Sequence, residues 1–469
     1  MTGSPRSRVL LAAVVITLLV IGSVLNFTAP KPFSVYPANF GPRIPEKDEL
    51  AAWYCAEGTS TLDGRADETI YVANIGNETT RAVLTVFAGA EQTPKSHSFD
   101  VPRKSLRAVR VGDVLATPEP GVLVEVLGGQ AVVSHGITGN GDAAVGPCAR
   151  EPTSRLFFGG ATTAKGASLW LALFNAFDDD AIVDVHFLTD KGPEAPEGLQ
   201  GLIIARRTRV TVPVHDFARR DNLVSAVVSV RRGRVVGEQT LALDGTDGRK
   251  GLAMTLGIEA PARRWEIATG LITSGRSQTL SVANPGAKPA LVRVSPRLYG
   301  DASVAPIDLL IPVGSVVPVD LSVLPPDIGF SLKVRANSAV IAETTVALVA
   351  PKPSNEWAIA SSVGSDRGAR RWVVSPARIS ATSSEIVYVL NAGKKPTQVR
   401  VRVVGRGTIK VPVDFVRKFK LGPGKRRVLD LANVVGATAL VVSGDGELIV
   451  EREAQSIPGE SLAAAVPGS

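Results

Sequence analysis

Histidine, cysteine and aromatic residues are scarce in this sequence. Its 469 residues include four His, two Cys, five Trp and five Tyr, and aromatic residues make up only 5%. His97, His135, His186 and His215 fall in separate predicted strands or turns, so a zinc site or a catalytic nucleophile would require distant segments to converge. The few aromatic side chains also leave little material for sugar-stacking platforms.

Signatures of common enzyme classes are missing as well. No GxSxG, HExxH, P-loop or dinucleotide-binding motif follows a predicted strand, where the mechanisms of these motifs require them. The formal net charge of +8 is modest for the length and is spread over scattered arginine pairs. No basic stretch is interleaved with aromatic residues, so nucleic-acid binding is not expected. The sequence predicts a protein that is not an enzyme and has no cofactor or metal.

Only one long apolar run is present. Residues 9–25 carry no charge and follow Arg6 and Arg8, which predicts a transmembrane signal anchor with residues 1–8 as its cytoplasmic end. A cleaved signal peptide is the alternative, but the residues after the run offer no good small-x-small cleavage site. Residues 26–50, rich in proline, predict a stalk. We therefore expect a single-pass protein of the cell membrane with most of the chain outside the cytoplasm.

Glycine, proline and small apolar residues are abundant. There are 45 Gly and 32 Pro, and 45% of the residues are hydrophobic, which is typical of many short strands joined by tight turns. Leu280–Val294 illustrates the pattern, because apolar residues alternate up to Asn284, Pro285-Gly286 supplies a turn, and alternation resumes. We interpret this stretch as a β-hairpin of two paired strands.

The same pattern recurs four times, with a period of roughly 105 residues. Openings at Trp53, Leu156, Trp265 and Trp372 are followed by hairpins centred on Asn74, Asn175, Asn284 and Asn391. Each unit then ends in a second predicted hairpin. The predicted domains are the repeats 51–150, 151–262, 263–369 and 370–460, followed by a tail, residues 461–469.

Each repeat contains about seven predicted strands in roughly 100 residues, the size and strand count of an immunoglobulin-like β-sandwich. The expected fold is therefore all-β, with four tandem sandwiches after the membrane helix. A propeller blade needs only about 40–50 residues, so an eight-bladed propeller with two blades per repeat is the alternative.

The two cysteines bracket the first repeat. Cys55 and Cys148 are where a single structural disulfide of an exported domain is expected. Closing a loop of about 90 residues stabilises the fold by about 4–5 kcal/mol through loop-closure entropy.

Several motifs together resemble a known kind of repeat. These are Trp53–Gly58, Asn284-Pro285-Gly286, Ile341-Ala342-Glu343 and Val450-Glu451-Arg452. They are similar to the aromatic-Glu-Gly, Asn-Pro-Gly and Val-Ala-Glu-Arg motifs in an actinobacterial signal-anchored family of unknown function built from tandem surface β-sandwich repeats. The resemblance covers about residues 50–455, implies the same architecture, and implies no activity.

Repeat 1 and repeat 3 depart from that pattern. Repeat 1 has His135 where the other repeats have Glu238, Glu343 and Glu451, and repeat 3 lacks the arginine that follows Glu451. We interpret the recurring glutamates as strand carboxylates paired with an arginine or lysine on a neighbouring strand.

Two charged segments are candidate ligand sites. Asp178–Asp180, in a predicted turn, is interpreted as a solvated turn in preference to a calcium site. The basic stretch 417–427 could hold anionic glycan or lipid head groups. Its candidate residues are Arg417, Lys418, Lys420, Lys425, Arg426 and Arg427.

The expected function is that of a non-enzymatic, membrane-anchored scaffold or accessory protein of the bacterial cell envelope. Its expected partners are the membrane, through the N-terminal helix, and envelope proteins. The alternative is a binding module for anionic envelope glycan or lipid head groups through the basic last repeat.

Overall fold

A computed structural model gives the fold of most of the chain. It describes residues 43–45, 49–61, 64–89, 92–128, 130–139, 142–300, 303–349, 357–375, 384–405, 417–431, 439–456 and 459–467. The predicted cytoplasmic end and signal anchor lie outside the described residues, as does most of the predicted stalk. Among the described residues, no helix is long and apolar enough to cross a membrane.

The structure is nearly all β, in several sheets, and its strand order recurs along the chain. The strands of repeat 1 are β1 (Ala51–Cys55), β2 (Asp67–Asn74), β3 (Thr80–Phe87), β4 (Lys95–Val101), β5 (Ser105–Arg110), β6 (Gly121–Leu127), β7 (Ala131–Gly139) and β8 (Asp142–Pro147). Those of repeat 2 are β9 (Arg155–Ala161), β10 (Ala167–Asn175), β11 (Ala181–Thr189), β12 (Gly192–Glu194), β13 (Leu202–Ile204), β14 (Thr208–Pro213), β15 (Val224–Arg232), β16 (Val236–Asp244) and β17 (Lys250–Leu256).

The second half of the chain follows the same order with longer closing strands. The strands of repeat 3 are β18 (Ala262–Ile267), β19 (Arg276–Asn284), β20 (Ala290–Leu298), β21 (Ile307–Ile311), β22 (Ser315–Val319), β23 (Phe330–Val349) and β24 (Trp357–Val363). Those of repeat 4 are β25 (Ala369–Val374), β26 (Ser384–Asn391), β27 (Thr397–Val404), β28 (Lys418–Leu421), β29 (Arg426–Asp430), β30 (Ala439–Ser456), β31 (Gly459–Ala464) and β32 (Val466–Pro467). Helical structure in the described part comprises α1 (Val214–Phe217) and two 3₁₀ turns, Val111–Asp113 and Glu197–Leu199.

Repeat 1 shows the arrangement most simply, as two four-stranded sheets. One has the order β1-β6-β3-β4 and the other β5-β2-β7-β8. A shared apolar core includes Trp53 and Val124 from the first sheet and Ile70 and Val133 from the second. The fold is therefore sandwich-like, with eight strands where the sequence predicted about seven. Neighbouring strands are mostly not consecutive in sequence, which gives no support to the propeller alternative.

The central hairpin prediction is wrong, because the two strands on either side of each Asn do not pair with each other. Strand β19 pairs with β22 and β23, whereas β20 pairs with β21 and a separate part of β23. Alternating burial identifies which face of a strand is covered, but it does not identify the strand's partner. Two strands facing one core from opposite sheets therefore carry the same pattern as a hairpin.

The Asn side chain stabilises the turn that connects these two strands. Asn284 Nδ2 donates to Lys288 O at 2.8 Å and to Ile311 O at 3.1 Å, and its Oδ1 accepts from Gly286 N at 3.0 Å. Asn74, Asn175 and Asn391 are equally buried and make the matching bonds. Each Asn side chain thus satisfies main-chain groups at the turn that follows its strand.

The second predicted hairpin is also wrong. In repeat 1 its two strands, β6 and β7, belong to different sheets. In repeats 3 and 4 it is one long strand, β23 or β30, whose first part pairs in one sheet and whose second part pairs in the other.

Two terminal segments are more structured than the sequence suggested. The predicted tail contributes the end of β31 and all of β32, where Val466 is fully buried and pairs with Val373. Ile44, from the predicted stalk, is buried and its N–H donates to Pro467 O at 2.9 Å. Backbone pairing and apolar burial thus fix both segments against repeats 1 and 4.

The four repeats form one compact unit, Phe40–Ser469. Their closing strands contact one another in a cycle, in which β8 meets β17, β17 meets β24, β24 meets β31, and β31 meets β8. Each repeat therefore contacts the repeats before and after it, and repeat 4 contacts repeat 1.

Candidate functional site: the buried joints between repeats

Three equivalent glutamates bind the repeat that precedes their own. Glu238 Oε2 accepts from Ala56 N at 3.1 Å and from Glu57 N at 2.6 Å, and Glu451 Oε2 accepts from Thr269 N at 2.7 Å. Glu343 lies against Gly159, where an added Cβ would come within 2.3 Å of its Oε2. We call these contacts the repeat joints. In each, a carboxylate from a closing strand meets the backbone within or just after the previous repeat's opening strand.

This geometry corrects the interpretation of the recurring glutamates. Their partners are main-chain N–H groups of another repeat and not a basic side chain on a neighbouring strand. The sequence did carry a signal, since a small residue stands three positions after the first large apolar residue of each opening. These residues are Ala56, Gly159, Ala268 and Ser375. A small residue leaves the room that a carboxylate needs to reach the backbone.

The joint between repeats 1 and 2 has an additional ionic pair. His135 Nδ1 lies 2.9 Å from Glu68 Oε1, and its Nε2 lies 3.2 Å from Glu238 Oε1. All three side chains are buried. Burial opposes charge on the imidazole, but the two carboxylates outweigh it and raise the pKa of His135 to about 10. Burial raises the pKa of Glu68 to about 7, against the opposing effect of His135.

Glu68, His135 and Glu238 are groups that could serve acid–base catalysis if substrate could reach them. None of the three is more than 1% exposed. The arrangement therefore acts as a charged contact that holds two repeats together.

Arg209 closes the same joint from the repeat 2 side. Its Nη2 donates to Glu57 Oε1 at 3.1 Å and its Nη1 to Gly58 O at 2.6 Å. Beside it lies a cavity of about 780 Å³. The cavity is lined mostly by polar residues of both repeats, including Thr59, Arg65, Gln92, Thr117, Thr208 and Arg209. Arg209 is already engaged by protein acceptors, so it belongs to the joint.

Repeat 4 is held on both sides by three consecutive residues of β30. Glu453 forms a buried two-pronged pair with Arg276 of repeat 3, at 2.7 and 2.9 Å, and Glu451 makes its joint to the same repeat. Arg452 points the other way and donates to Val145 O of repeat 1 at 3.5 Å. Alternation along a strand sends successive side chains to opposite faces, so one strand contacts both neighbours.

The joint between repeats 4 and 1 contains Arg452, which is buried and lies against Val145. Glu385, half-buried in repeat 4, lies near Arg452. Burial raises the pKa of Glu385 to about 7, with Arg452 opposing the shift. Burial raises the pKa of Glu343 to about 8, while Thr255 Oγ1 opposes the shift from 3.3 Å.

The predicted disulfide between Cys55 and Cys148 is confirmed, closing a sequence separation of 93 residues. Both sulfurs lie within 4.8 Å of a ring nitrogen of His135. Because the sulfurs are bonded to each other, they offer no thiolate for a metal ion. The disulfide therefore supports the same joint from inside repeat 1.

The residues of the predicted basic site differ in exposure and in contacts. Lys418 and Lys420 project from the outer face of β28, Arg417 precedes it, and Lys425 lies in the next turn, all exposed. Arg427 stacks on Phe419 with its guanidinium carbon 5.0 Å from the ring centroid.

Arg426 is instead part of the contact between repeats 3 and 4. Its Nη1 donates to Ala268 O and to Phe330 O, both at 2.7 Å. Its guanidinium also lies over Tyr299 and Tyr388. These contacts engage the side chain within the protein, and a ligand-binding role for the basic segment stays a prediction.

The acidic turn of repeat 2 is used by arginines of the protein itself. Asp178 pairs with Arg207 at 2.6 Å, and Asp180 Oδ1 accepts from Arg206 N at 2.8 Å. The preferred interpretation of this segment as an ordinary turn agrees with these contacts.

Comparisons with known proteins give a family and little else. No curated protein matches the sequence. Among solved structures, Thermotoga maritima protein 1070 is 19% identical over 22% of this chain and 94% of its own, with a TM-score of 0.21. The Anabaena sensory rhodopsin transducer is 23% identical over 18% of this chain and 82% of its own, with a TM-score of 0.17. These TM-scores are too low to inform the fold.

The sequence does match one protein-family profile. The match covers residues 130–378, which is more than half of the chain. The matched segment extends from the end of repeat 1 to the start of repeat 4. The chain therefore belongs to the family of unknown function DUF5719.

Proposed function

We propose that this protein is a non-enzymatic scaffold of the bacterial cell envelope, anchored in the cell membrane by residues 9–25 and built from four immunoglobulin-like β-sandwiches. One observation carries the proposal, namely the cycle of buried polar joints that links every repeat to its neighbours. A chain of independent binding modules would have no need of such contacts. A scaffold needs them, because its surface must keep one arrangement.

The chemistry of the joints supports the same conclusion. Burying a charged pair such as Arg276 and Glu453 adds little net stability, because desolvation offsets most of the attraction. A misplaced neighbour, however, would leave those charges unpaired at a cost of about 3–5 kcal/mol. The joints therefore favour one order and one register of the repeats. They also contain many of the buried titratable groups, where no substrate can reach them.

Cross-linking in intact envelopes tests the proposal directly. The full chain, expressed in bacteria, is expected in the membrane fraction. Cross-linking is expected to join it to other envelope proteins, which mass spectrometry would identify. Glu451→Ala, which breaks the joint between repeats 3 and 4, is expected to lose or change these cross-links. Glu447→Gln removes an exposed carboxylate from the same strand and should leave them unchanged.

Two results would overturn the proposal. One is turnover of cell-wall glycan or peptide by the purified full chain, and the other is an unchanged set of cross-links in Glu451→Ala. The first would show an enzyme, and the second would show that partner binding does not depend on the arrangement of the repeats.

A further inference from the structure

The outer sheet of repeat 3 places three arginines side by side. Arg264 on β18 and Arg293 on β20 both pair in register with Arg335 on the intervening strand β23. Adjacent strands are about 4.8 Å apart, and like charges directly opposite one another destabilise a sheet. The sequence alone does not reveal this row, because the three arginines come from three separate segments.

Acidic residues neutralise only part of the row. Arg293 pairs with Asp308 at 2.6 and 2.8 Å. Arg335 is exposed, and within the described part of the chain it has no ion pair. Lys333, two residues earlier on the same face, also has none there. Burial lowers the pKa of Lys333, and Arg335 lowers it further.

A buried carboxylate orients the other two cations. Glu266 is fully buried, and it accepts from Arg264 Nη2 at 3.1 Å and from Arg297 Nη1 at 2.8 Å. Both arginines keep about a quarter to a third of their side chains exposed, at 30% and 25%. Their guanidinium groups are thus held in place while part of each still faces solvent.

Repeat 4 forms the other side of this surface. Arg264 Nη2 lies 3.5 Å from Ala392 O, and Gly424 lies against the Arg297 side chain. The turns that contain Ala392 and Gly424 also carry three exposed lysines, Lys394, Lys395 and Lys425. Repeats 3 and 4 thus both contribute positive charge to one shared surface.

We propose that this surface binds phosphate groups, through Arg264, Arg297, Lys333 and Arg335. Guanidinium groups match phosphate oxygens in pairs, and lysine adds a compact point charge. The four cations face one carboxylate, Glu266, which leaves a surplus of positive charge for an anionic phosphate group. The phosphate comes from a lipid head group or from a soluble phosphate polymer. This site is separate from the proposed scaffold function.

Titration calorimetry on the full chain in a non-ionic detergent tests phosphate binding to this surface with two probes. Tripolyphosphate represents a soluble phosphate polymer, and monomeric dihexanoyl-phosphatidylglycerol represents a lipid head group. Binding of either probe is expected, weaker at high salt because the surface charges are screened. The double variant Lys333→Gln/Arg335→Gln is expected to lose at least about tenfold in affinity, since it removes two charge-assisted hydrogen-bond donors.

Lys418→Gln/Lys420→Gln is the matched control. It also removes two positive charges two residues apart on an exposed strand, and it lies in the basic segment predicted from sequence. It should retain affinity within about twofold. An equal loss in both double variants would mean that net charge alone drives binding, and an absence of binding to both probes would exclude the site. If the first double variant fails to fold, Arg335→Gln alone makes the same test.

Discussion

At the scale of single residues, the buried titratable groups follow the divisions between repeats. His135 sits between Glu68 and Glu238, and Glu343 faces repeat 2 from repeat 3. The protonation states of these side chains therefore affect the stability of the contacts between neighbouring repeats. Titration of these groups should be visible in the stability of the whole unit.

Replacing His135 removes the cation from the joint between repeats 1 and 2. We expect His135→Gln to lower the free energy of unfolding by about 3–5 kcal/mol near neutral pH, because two buried carboxylates lose their partner. The folded pKa of about 10 lies above the unfolded value, so this stabilisation is full below pH 6.5 and is lost as pH rises through 10. Urea unfolding across that range measures it. His97→Gln, at an exposed position, should change little, and a similar effect of both substitutions would contradict the assignment.

Glu343 should make the protein less stable as pH rises. Its folded pKa of about 8 exceeds the ordinary glutamate value of 4.5, so the folded chain holds a proton that the unfolded chain releases in that interval. Stability is greatest below the unfolded pKa and falls as pH rises through the folded one. Glu343→Gln cannot ionise, so unfolding at about pH 5 and about pH 8 should differ less than in the unaltered chain. The exposed Glu447→Gln should keep the original difference, and an undiminished slope in Glu343→Gln would refute the prediction.

At the scale of elements, each Asn side chain stabilises the turn between two successive strands. Asn284→Ala removes four hydrogen bonds, which join the end of β19, the following turn and the end of β21. We expect a loss of about 2–4 kcal/mol in the free energy of unfolding, because the buried carbonyls and amide are left without a partner. Asn337→Ala, on the exposed face of the same repeat, removes two exposed bonds, which Asn337 accepts from Leu291 N and Ser338 Oγ. Its cost should be less than about 1 kcal/mol, and equal losses would show that Asn284 is an ordinary turn residue.

Much of this scale could be predicted from sequence. The spacing of Asn284, Glu343 and their equivalents indicated four all-β repeats, and the position of Cys55 and Cys148 indicated their disulfide. The pairing of strands could not be predicted, because alternation fixes a buried face and leaves the partner open. The role of Arg426 was missed for a related reason, since a basic segment in sequence does not reveal that one of its members turns into the neighbouring repeat.

At the scale of the whole molecule, the repeats should unfold together. The closing strands β8, β17, β24 and β31 contact one another in a cycle, so opening one repeat exposes surface on two others. Cooperative units coincide with such shared contacts. Where tandem domains have independent cores and weak interfaces, separate transitions are expected.

Gly251 is the residue at which this cooperativity can be tested, because three repeats approach it. A Cβ there would lie 2.3 Å from Asp142 Oδ2 of repeat 1 and 2.7 Å from Ile359 N of repeat 3, and its φ is +147°. Gly251→Ala should therefore destabilise by about 3 kcal/mol or more, through strain and displaced neighbours, and should broaden or split the single unfolding transition seen by calorimetry. Gly248 also has a positive φ, +82°, but has open space around it. Gly248→Ala should cost about 1 kcal/mol and keep one transition, because it introduces the backbone strain without the collision. If both variants unfold alike, close contact between the closing strands does not hold the four repeats together.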